Sequence, residues 1–451
     1  MAHVATIGNA TIIGYDKMPI ISTDPWICDE DSAYFGSWIG SHTIPTQYKK
    51  DILESKYLWF SHGHPDHINP DSLKRFEGKK ILLPDHYGSR IYKDLKEDKF
   101  DVEILKDKVW YELSKNIRIQ CLSNWLQDSI LLLEVNKRLF VNLNDSDPGA
   151  HTRYIRNLSK KYKQIYLLSL SGFGDADMIN FFSEEGKKIT KSKKPQGYVG
   201  KQLSDKANLI GANNIVPFSS FHQYQRSDSI WAQEHTVPDE SYKDGVYLDH
   251  KYIEPFSLID CMNDTSIPIR PKKFDVIVKR PEEFGDNWSD ELTLKEFQEV
   301  KNYFLSKNKL NKVVRYIRII VGNKENIIDF KNDLKTGVTF EVPRNSLLTT
   351  IRLKIFDDLL IGNYMKTTLH GIESLYHKNF KYIIANWSDN GLVNNEEEFQ
   401  NYVKEYKIKN GRDFLYYNFL DQSKNLFFRF VSNKSNSTIY KFSKKIFNFL
   451  R

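Results

Sequence analysis

Residues 61–70 read "SHGHPDHINP" and set three histidines and an aspartate within six positions, in a chain of 451 residues that has 12 histidines. The preceding "YLWF" (57–60) is a short apolar and aromatic run of the kind that fills a buried strand. The cluster therefore stands at a strand end, where folds present reactive groups on rigid supports. His62, His64, Asp66 and His67 form H-x-H-x-D-H. Imidazole and carboxylate are ligands that suit zinc, manganese and iron. Residues two apart on an extended segment point the same way, so His62 and His64 can grip one ion. Asp66 and His67 follow where the chain turns and can aim at a second, so one loop supplies half of a two-metal site.

Length and composition bound the rest. At 451 residues two domains are expected, and 40% hydrophobic with 14% aromatic content supplies a core. Lys and Arg exceed Asp and Glu by 65 − 58 = +7. That mild excess suits a small anionic partner and gives no electrostatic track for nucleic acid. Cys28, Cys121 and Cys261 are odd in number and widely spaced, which fits a reducing compartment. The start, "MAHVATIGNATIIGYD", has no signal-peptide pattern, and no apolar run approaches the ~20 residues of a membrane helix. A cytoplasmic protein without a membrane segment is expected, and a homo-oligomer is compatible with it.

Short strands are expected in the first 60 residues, and a helix after the cluster, opened by Asn69-Pro70 and capped by Asp71 or Ser72. "KKILLPD" (79–85) reads as a strand and "RIYKDLKE" (90–97) as a helix. "IRIQCLSN" (117–124) and "DSILLLEVNKRLFVNLND" (128–145) read as a hairpin-like pair of strands. A helix and strand follow over 151–172, and a further strand over 213–222. The alternation argues for a layered α/β domain over residues 1–265. "DTSIPIRPKKFD" (264–275) reads as a boundary, and 270–451 as a C-terminal α+β domain, closed by a long helix over 396–421 that breaks near Asn410-Gly411. "LLIGNYMKTTLHGIESLY" (359–376), with Lys366 and His370, reads as a domain-packing helix with an N-terminal turn. "NWSDNGL" (386–392) reads as a turn with no chemistry.

The motif resembles the metallo-β-lactamase superfamily, whose fold is a four-layer αβ/βα sandwich with the metals at one edge between its sheets. In that family a later aspartate bridges both ions and a last histidine completes the second. The resemblance therefore implies Asp145, at the end of "RLFVNLND", as the bridge, with Asp147 its competitor. It implies His222, after "VPFSS", as the last ligand, with His235 its competitor. It also implies a histidine between the first motif and the bridge, and "IQCLSNWLQDS" (119–129) has none. Asn124 stands nearest the expected place as a replacement ligand, with Gln127 and Asp128 behind it. "PDHYGSR" (84–90) puts His86 and Arg90 on a loop after a strand, a usual place for substrate contacts in such folds.

Within the superfamily, "STDPWI" (22–27) is similar to the L-ascorbate-6-phosphate lactonase-like branch. "DPWI", "SHGHPDH" and "NLND" together look like the metallo-β-lactamase-like part of CMP-N-acetylneuraminate hydroxylase. The resemblance covers roughly the first 260 residues. It implies one or two divalent ions (Zn, Mn or Fe) and hydrolysis of a small anionic lactone, amide or phosphodiester, with Asp66 orienting the attacking water. The alternative is an iron-dependent hydroxylase of an amino sugar or sugar nucleotide. The cysteine spacing offers no Rieske ligand pair, so that chemistry would need a separate reductase. A non-catalytic binding module is the third possibility.

Overall fold

The computed structural model describes residues 2–27, 30–170, 178–189, 196–219, 221–238 and 241–417; Cys28 and the end of the long helix expected to 421 lie outside them. Two large sheets face each other. The first runs Thr265–Pro268, Ser257–Asp260, Ala2–Ile7, Thr11–Asp16, Met18–Thr23, Tyr57–Trp59, Lys80–Pro84, Asp101–Leu105. The second runs Lys251–Tyr252, Asn214–Phe218, Ile165–Leu170, Arg138–Asn144, Ser129–Val135, Ile117–Ser123, Trp110–Glu112.

Each sheet is parallel in one half. Met18–Thr23, Tyr57–Trp59, Lys80–Pro84 and Asp101–Leu105 run together in the first. Arg138–Asn144, Ile165–Leu170, Asn214–Phe218 and Lys251–Tyr252 do so in the second.

Period-two patterning explains the layers. Leu131, Leu133, Phe140 and Leu168 pack against Val4, Ile12, Trp59 and Leu82 in one core between the sheets. Their neighbours Leu132, Val141 and Leu167 face outward with Ile155 and Leu203, from the helices Thr152–Ser159 and Tyr198–Ile210. Leu58, Ile81 and Leu83 share that second cluster with Ile52 and Leu95, from the helices Thr46–Glu54 and Arg90–Glu97. Helix, sheet, sheet and helix form the αβ/βα sandwich that the resemblance implies.

The C-terminal region holds a third sheet: Phe181–Phe182, Lys366–His370, Gly337–Glu341, Tyr316–Val321, Lys324–Asp329. Its edge strand Phe181–Phe182 comes from the first 265 residues and pairs parallel to Lys366–His370. Trp26, Tyr34, Trp38, Met178 and Tyr224 likewise join its core, beside Phe304, Phe340, Phe356 and Trp387. The two regions thus share one apolar cluster. At Gly36, where φ is +86°, an added Cβ would lie 2.2 Å from the ring of Phe284, so the contact needs glycine.

Four local expectations differ. Asn69, not Asp71 or Ser72, caps the short helix Pro70–Leu73, its side chain accepting from the N–H groups of Asp71 and Ser72. The run 128–145 is itself a hairpin, turned by Asn136 and Lys137 at φ +46° and +63°. Residues 359–376 hold the end of the helix Phe356–Ile361 and then the strand Lys366–His370, because the β-rich "MKTTLH" finds a partner in the third sheet. Residues 386–390 belong to a π-helical stretch, Tyr382–Asn390, whose Asp389 is buried against Lys307 and Tyr303.

A buried charged node also joins the regions. The Arg226 guanidinium, fully buried, donates to Asp228 (2.8 Å), to the Phe35 carbonyl (2.9 Å) and to Asp286 (2.7 Å). Asp286 also accepts from the N–H of Ser346 at 2.9 Å. Removing one partner leaves the other buried and uncompensated. Asp286→Ala is expected to cost ~3–5 kcal/mol, read from the urea midpoint.

Candidate metal centre

The cluster sits beyond the C-terminal ends of parallel strands in both sheets. Asp24 follows Met18–Thr23, the histidine loop follows Tyr57–Trp59, Asp145 follows Arg138–Asn144, and Ser219 and His222 follow Asn214–Phe218. Open α/β sheets present ligand sites at such ends. The loop closes on itself, because the N–H groups of His67 and Ile68 both donate to the His64 carbonyl, at 3.1 and 2.9 Å. That turn brings the His67 ring to 4.2 Å from the His62 ring, with the His64 ring 4.4 Å from His62 on another side.

Two ligand groups result, His62 with His64 and Asp145, and Asp66 with His67 and Asp145; in each, the donor atoms lie within 4.8 Å of one another. Asp145 is common to both. Its Oδ2 lies 3.9 Å from His62 Nε2 and 3.3 Å from His67 Nε2, while its Oδ1 accepts from the Ser219 hydroxyl. Its competitor Asp147 points into solvent and pairs with Lys206 at 3.2 Å.

His222 stacks on Trp38, ring centroids 3.4 Å apart, and feels the charge of Asp145. Its Nε2 is buried with no hydrogen-bond partner among the described residues. An orphaned imidazole nitrogen beside a histidine and carboxylate cluster is what a missing cation would leave. Burial lowers His222 to about 3 and His62 well below the usual range, so both keep a free lone pair for an ion. The donor set therefore fits divalent metal, with His62, His64 and Asp145 at one position and Asp66, His67 and Asp145 at the other. His222, expected as the last ligand, belongs to neither group. His235 lies apart, beside Glu234.

Outer carboxylates face the remaining ring nitrogens. His67 Nδ1 lies 3.3 Å from Asp24 Oδ2, and His62 Nδ1 lies 3.5 Å from Asp128 Oδ1 and 2.9 Å from the Ser61 hydroxyl. Burial, then the charge of Asp145, pushes Asp128 up to about 8. Asp66 accepts from Asn9 at 2.9 Å and from the Tyr34 hydroxyl at 2.5 Å.

The other expected residues stand elsewhere. The Asn124 oxygen accepts from the N–H groups of Leu126 (2.9 Å) and Asp128 (3.2 Å), and its amide donates to Ser146 (2.8 Å), so a backbone turn uses its polar atoms. His86 Nε2 meets the Asp128 carbonyl at 2.9 Å. Arg90 donates to the carbonyls of Leu353 and Lys354 and to Asn390, which ties the two regions. Both line a small cavity beside Gly63.

Sequence reasoning missed Asn9, Asp24 and Tyr34, and also three C-terminal residues. Asp357 and Asp358 sit on the buried helix Phe356–Ile361, with Lys381 2.9 Å from Asp357. Paired acids inside the apolar "FDDLLI" were the available signal, since unpartnered carboxylates are rarely buried. Burial pushes Asp358 up to about 8.

Asp145→Ala is expected to abolish binding at both positions, read by elemental analysis after dialysis. Asp24→Asn is expected to retain metal with 10–100-fold weaker affinity, since outer carboxylates typically contribute that much. Burial holds His86 at about 4, below its ordinary 6.5. Its neutral form therefore stabilises the fold above pH 6.5, and that stability is lost as pH falls towards 4. Urea midpoints of chelator-treated protein should drop over that window, and less steeply in His86→Gln.

No family model matches the chain. Among curated proteins, 87 residues match a Mycolicibacterium smegmatis protein described as a Rieske 2Fe-2S iron–sulfur protein, at 34% identity, over 19% of this chain and 16% of that one. A 131-residue match at 21% identity, over 27% of this chain and 26% of the other, is to the inactive cytidine monophosphate-N-acetylneuraminic acid hydroxylase of Homo sapiens. The chain thus spans about a quarter or less of the length of these relatives. Among solved structures, it is similar to an isothiocyanate hydrolase from Delia radicum gut bacteria (TM-score 0.38, 14% identity, 59% of this chain and 100% of that one). It is also similar to CmlA, a diiron β-hydroxylase from Streptomyces venezuelae (TM-score 0.35, 11% identity, 54% and 49%). Likenesses at this level say nothing of chemistry. Two facing sheets between helices, with an H-x-H-x-D-H loop and a strand-end aspartate at their common edge, give this chain the metallo-β-lactamase fold.

Proposed function

We propose that the protein is a metal-dependent hydrolase of a small anionic metabolite, a lactone, amide or phosphodiester. The observation that carries the reading is Asp145, whose one oxygen faces His62 and His67 and so joins two ligand groups. Divalent ions held there would lower the pKa of water from about 16 to about 7, supplying hydroxide at neutral pH. The protein's own groups do the rest. Asp66, fixed by Asn9 and Tyr34, orients the attacking water and accepts its proton. Tyr34, 2% exposed, closes one wall of the site and limits the water that reaches it. Stacking on Trp38 fixes the plane of His222. The net charge of +7 favours an anionic substrate and supports no role in nucleic-acid or membrane binding.

The hydroxylase match favours a second reading, iron-dependent oxidation of an amino sugar or sugar nucleotide with electrons from a separate reductase.

Elemental analysis of purified protein, beside a panel of lactones and phosphodiesters, tests both. Zinc or manganese, with turnover lost on chelation and restored by the ion, is the expected result. Iron with reductant-dependent oxygen uptake would install the second reading. Full metal with no turnover of any kind would overturn both.

A further inference from the structure

Each histidine of the loop divides its ring nitrogens in one way. One nitrogen faces the ligand cluster, and the other faces a carboxylate outside it. For His62 the outer nitrogen is Nδ1, facing Asp128, and for His67 it is Nδ1, facing Asp24. His64 is reversed. Its Nδ1 lies 2.8 Å from His62 Nε2 on the cluster side, and its Nε2 points out, 3.4 Å from Asp357 Oδ2. The carboxylates behind His62 and His67 belong to the sandwich. The one behind His64 comes from 293 residues further along the chain.

A histidine that gives one nitrogen to a metal carries its proton on the other, and a carboxylate there selects that tautomer and fixes the ring. Asp357 is built for this. It is 3% exposed, on a short helix whose residues Phe356 to Ile361 are all buried. Lys381, entering the π-helical stretch Tyr382–Asn390, holds its Oδ2 at 2.9 Å, and its Oδ1 is buried with no hydrogen-bond partner among the described residues. A buried carboxylate kept with one oxygen unspent is costly unless its other contacts matter.

We propose that Asp357 is the positioning residue for His64, so that the ion position formed by His62, His64 and Asp145 is complete only when the C-terminal region is docked on the sandwich. This rests on the metal-centre reading above, and extends it by making metal loading depend on the second region.

The test is zinc affinity of the full chain, measured by competition with a chromogenic chelator for wild type, Asp357→Asn and Asp357→Glu. Nitrogen-15 NMR of the imidazoles reports the His64 tautomer. The expected result is one of two zinc ions weakened 10–100-fold in Asp357→Asn. The other ion should be unchanged, the His64 Nε2–H signal lost, and binding partly rescued in Asp357→Glu. Equal affinity in wild type and Asp357→Asn, with the His64 signal intact, overturns the proposal and leaves the metal centre standing. A wild type that takes up no zinc, and no manganese or iron(II) offered in its place, overturns the metal-centre reading and this inference together. If Asp357→Asn does not fold, Asp357→Leu combined with Lys381→Met, which removes the carboxylate together with its cation and leaves no unpaired buried charge, decides. Weakened binding of one ion supports the proposal, and unchanged binding overturns it.

Discussion

A fully buried carboxylate, Asp24, holds the two sheets to each other where the ligands gather. Its Oδ1 accepts from the N–H of Ser61 at 2.7 Å, its Oδ2 accepts from the amide of Asn144, and His67 Nδ1 lies 3.3 Å away. One side chain thus ties the end of Met18–Thr23, the start of the histidine loop and the end of Arg138–Asn144 in the facing sheet. Burying a carboxylate is tolerable only with such partners, so a shift in register of these strand ends would leave Asp24 buried without them. Asp24 and Asn144 lie at φ +39° and +53°, a region where Asp and Asn are among the few non-glycine residues readily accepted. The same residue types that satisfy the polar contacts therefore also allow the chain to turn off its strands.

Around this anchor the site alternates imidazole and carboxylate in depth. Asp66 and Asp145 face inward, and Asp24, Asp128 and Asp357 stand behind the rings. His67 rises well above its usual range despite burial, because Asp66 and Asp145 flank it, and Asp145 is held ionised by the same contact. The C-terminal region supplies the last layer. Its π-helical stretch, a rare geometry often found at functional sites, presents Lys381 at one end and Asn390, bonded to Arg90, at the other.

How much of this could be read from residues alone differs from element to element. The strands 80–84, 165–170 and 214–218 and the helix 90–97 follow from apolar runs and period, because local patterning and burial agree there. The run 128–145 is interrupted by the polar Asn136-Lys137-Arg138, a turn signal that sequence reasoning passed over, and the backbone turns there with two positive φ values. Asn124 was the polar residue nearest a vacant ligand place in sequence, yet its oxygen serves the N–H groups of its own turn, as Asn side chains commonly do. "NWSDNGL" reads as a turn without chemistry, but Asp389 is drawn inside by Lys307, 82 residues earlier.

The sequence by itself determined which side chains gather as candidate ligands in the histidine loop, because that cluster is local. His62, His64, Asp66 and His67 lie within one turn of chain, and their spacing after an apolar strand dictates where their rings point. Asp145, which the structure brings to that loop, and His222, which lies outside both ligand groups, each follow an apolar strand. Only the tertiary structure decided what supports those ligands. Asn9, Asp24, Tyr34, Asp357 and Lys381 meet the cluster across separations that carry no periodic signal, and they are brought there by the packing of one sheet on another and of a second core on both. Spacing along a chain encodes direction within a few residues; contact between distant residues is set by which apolar faces must be buried together.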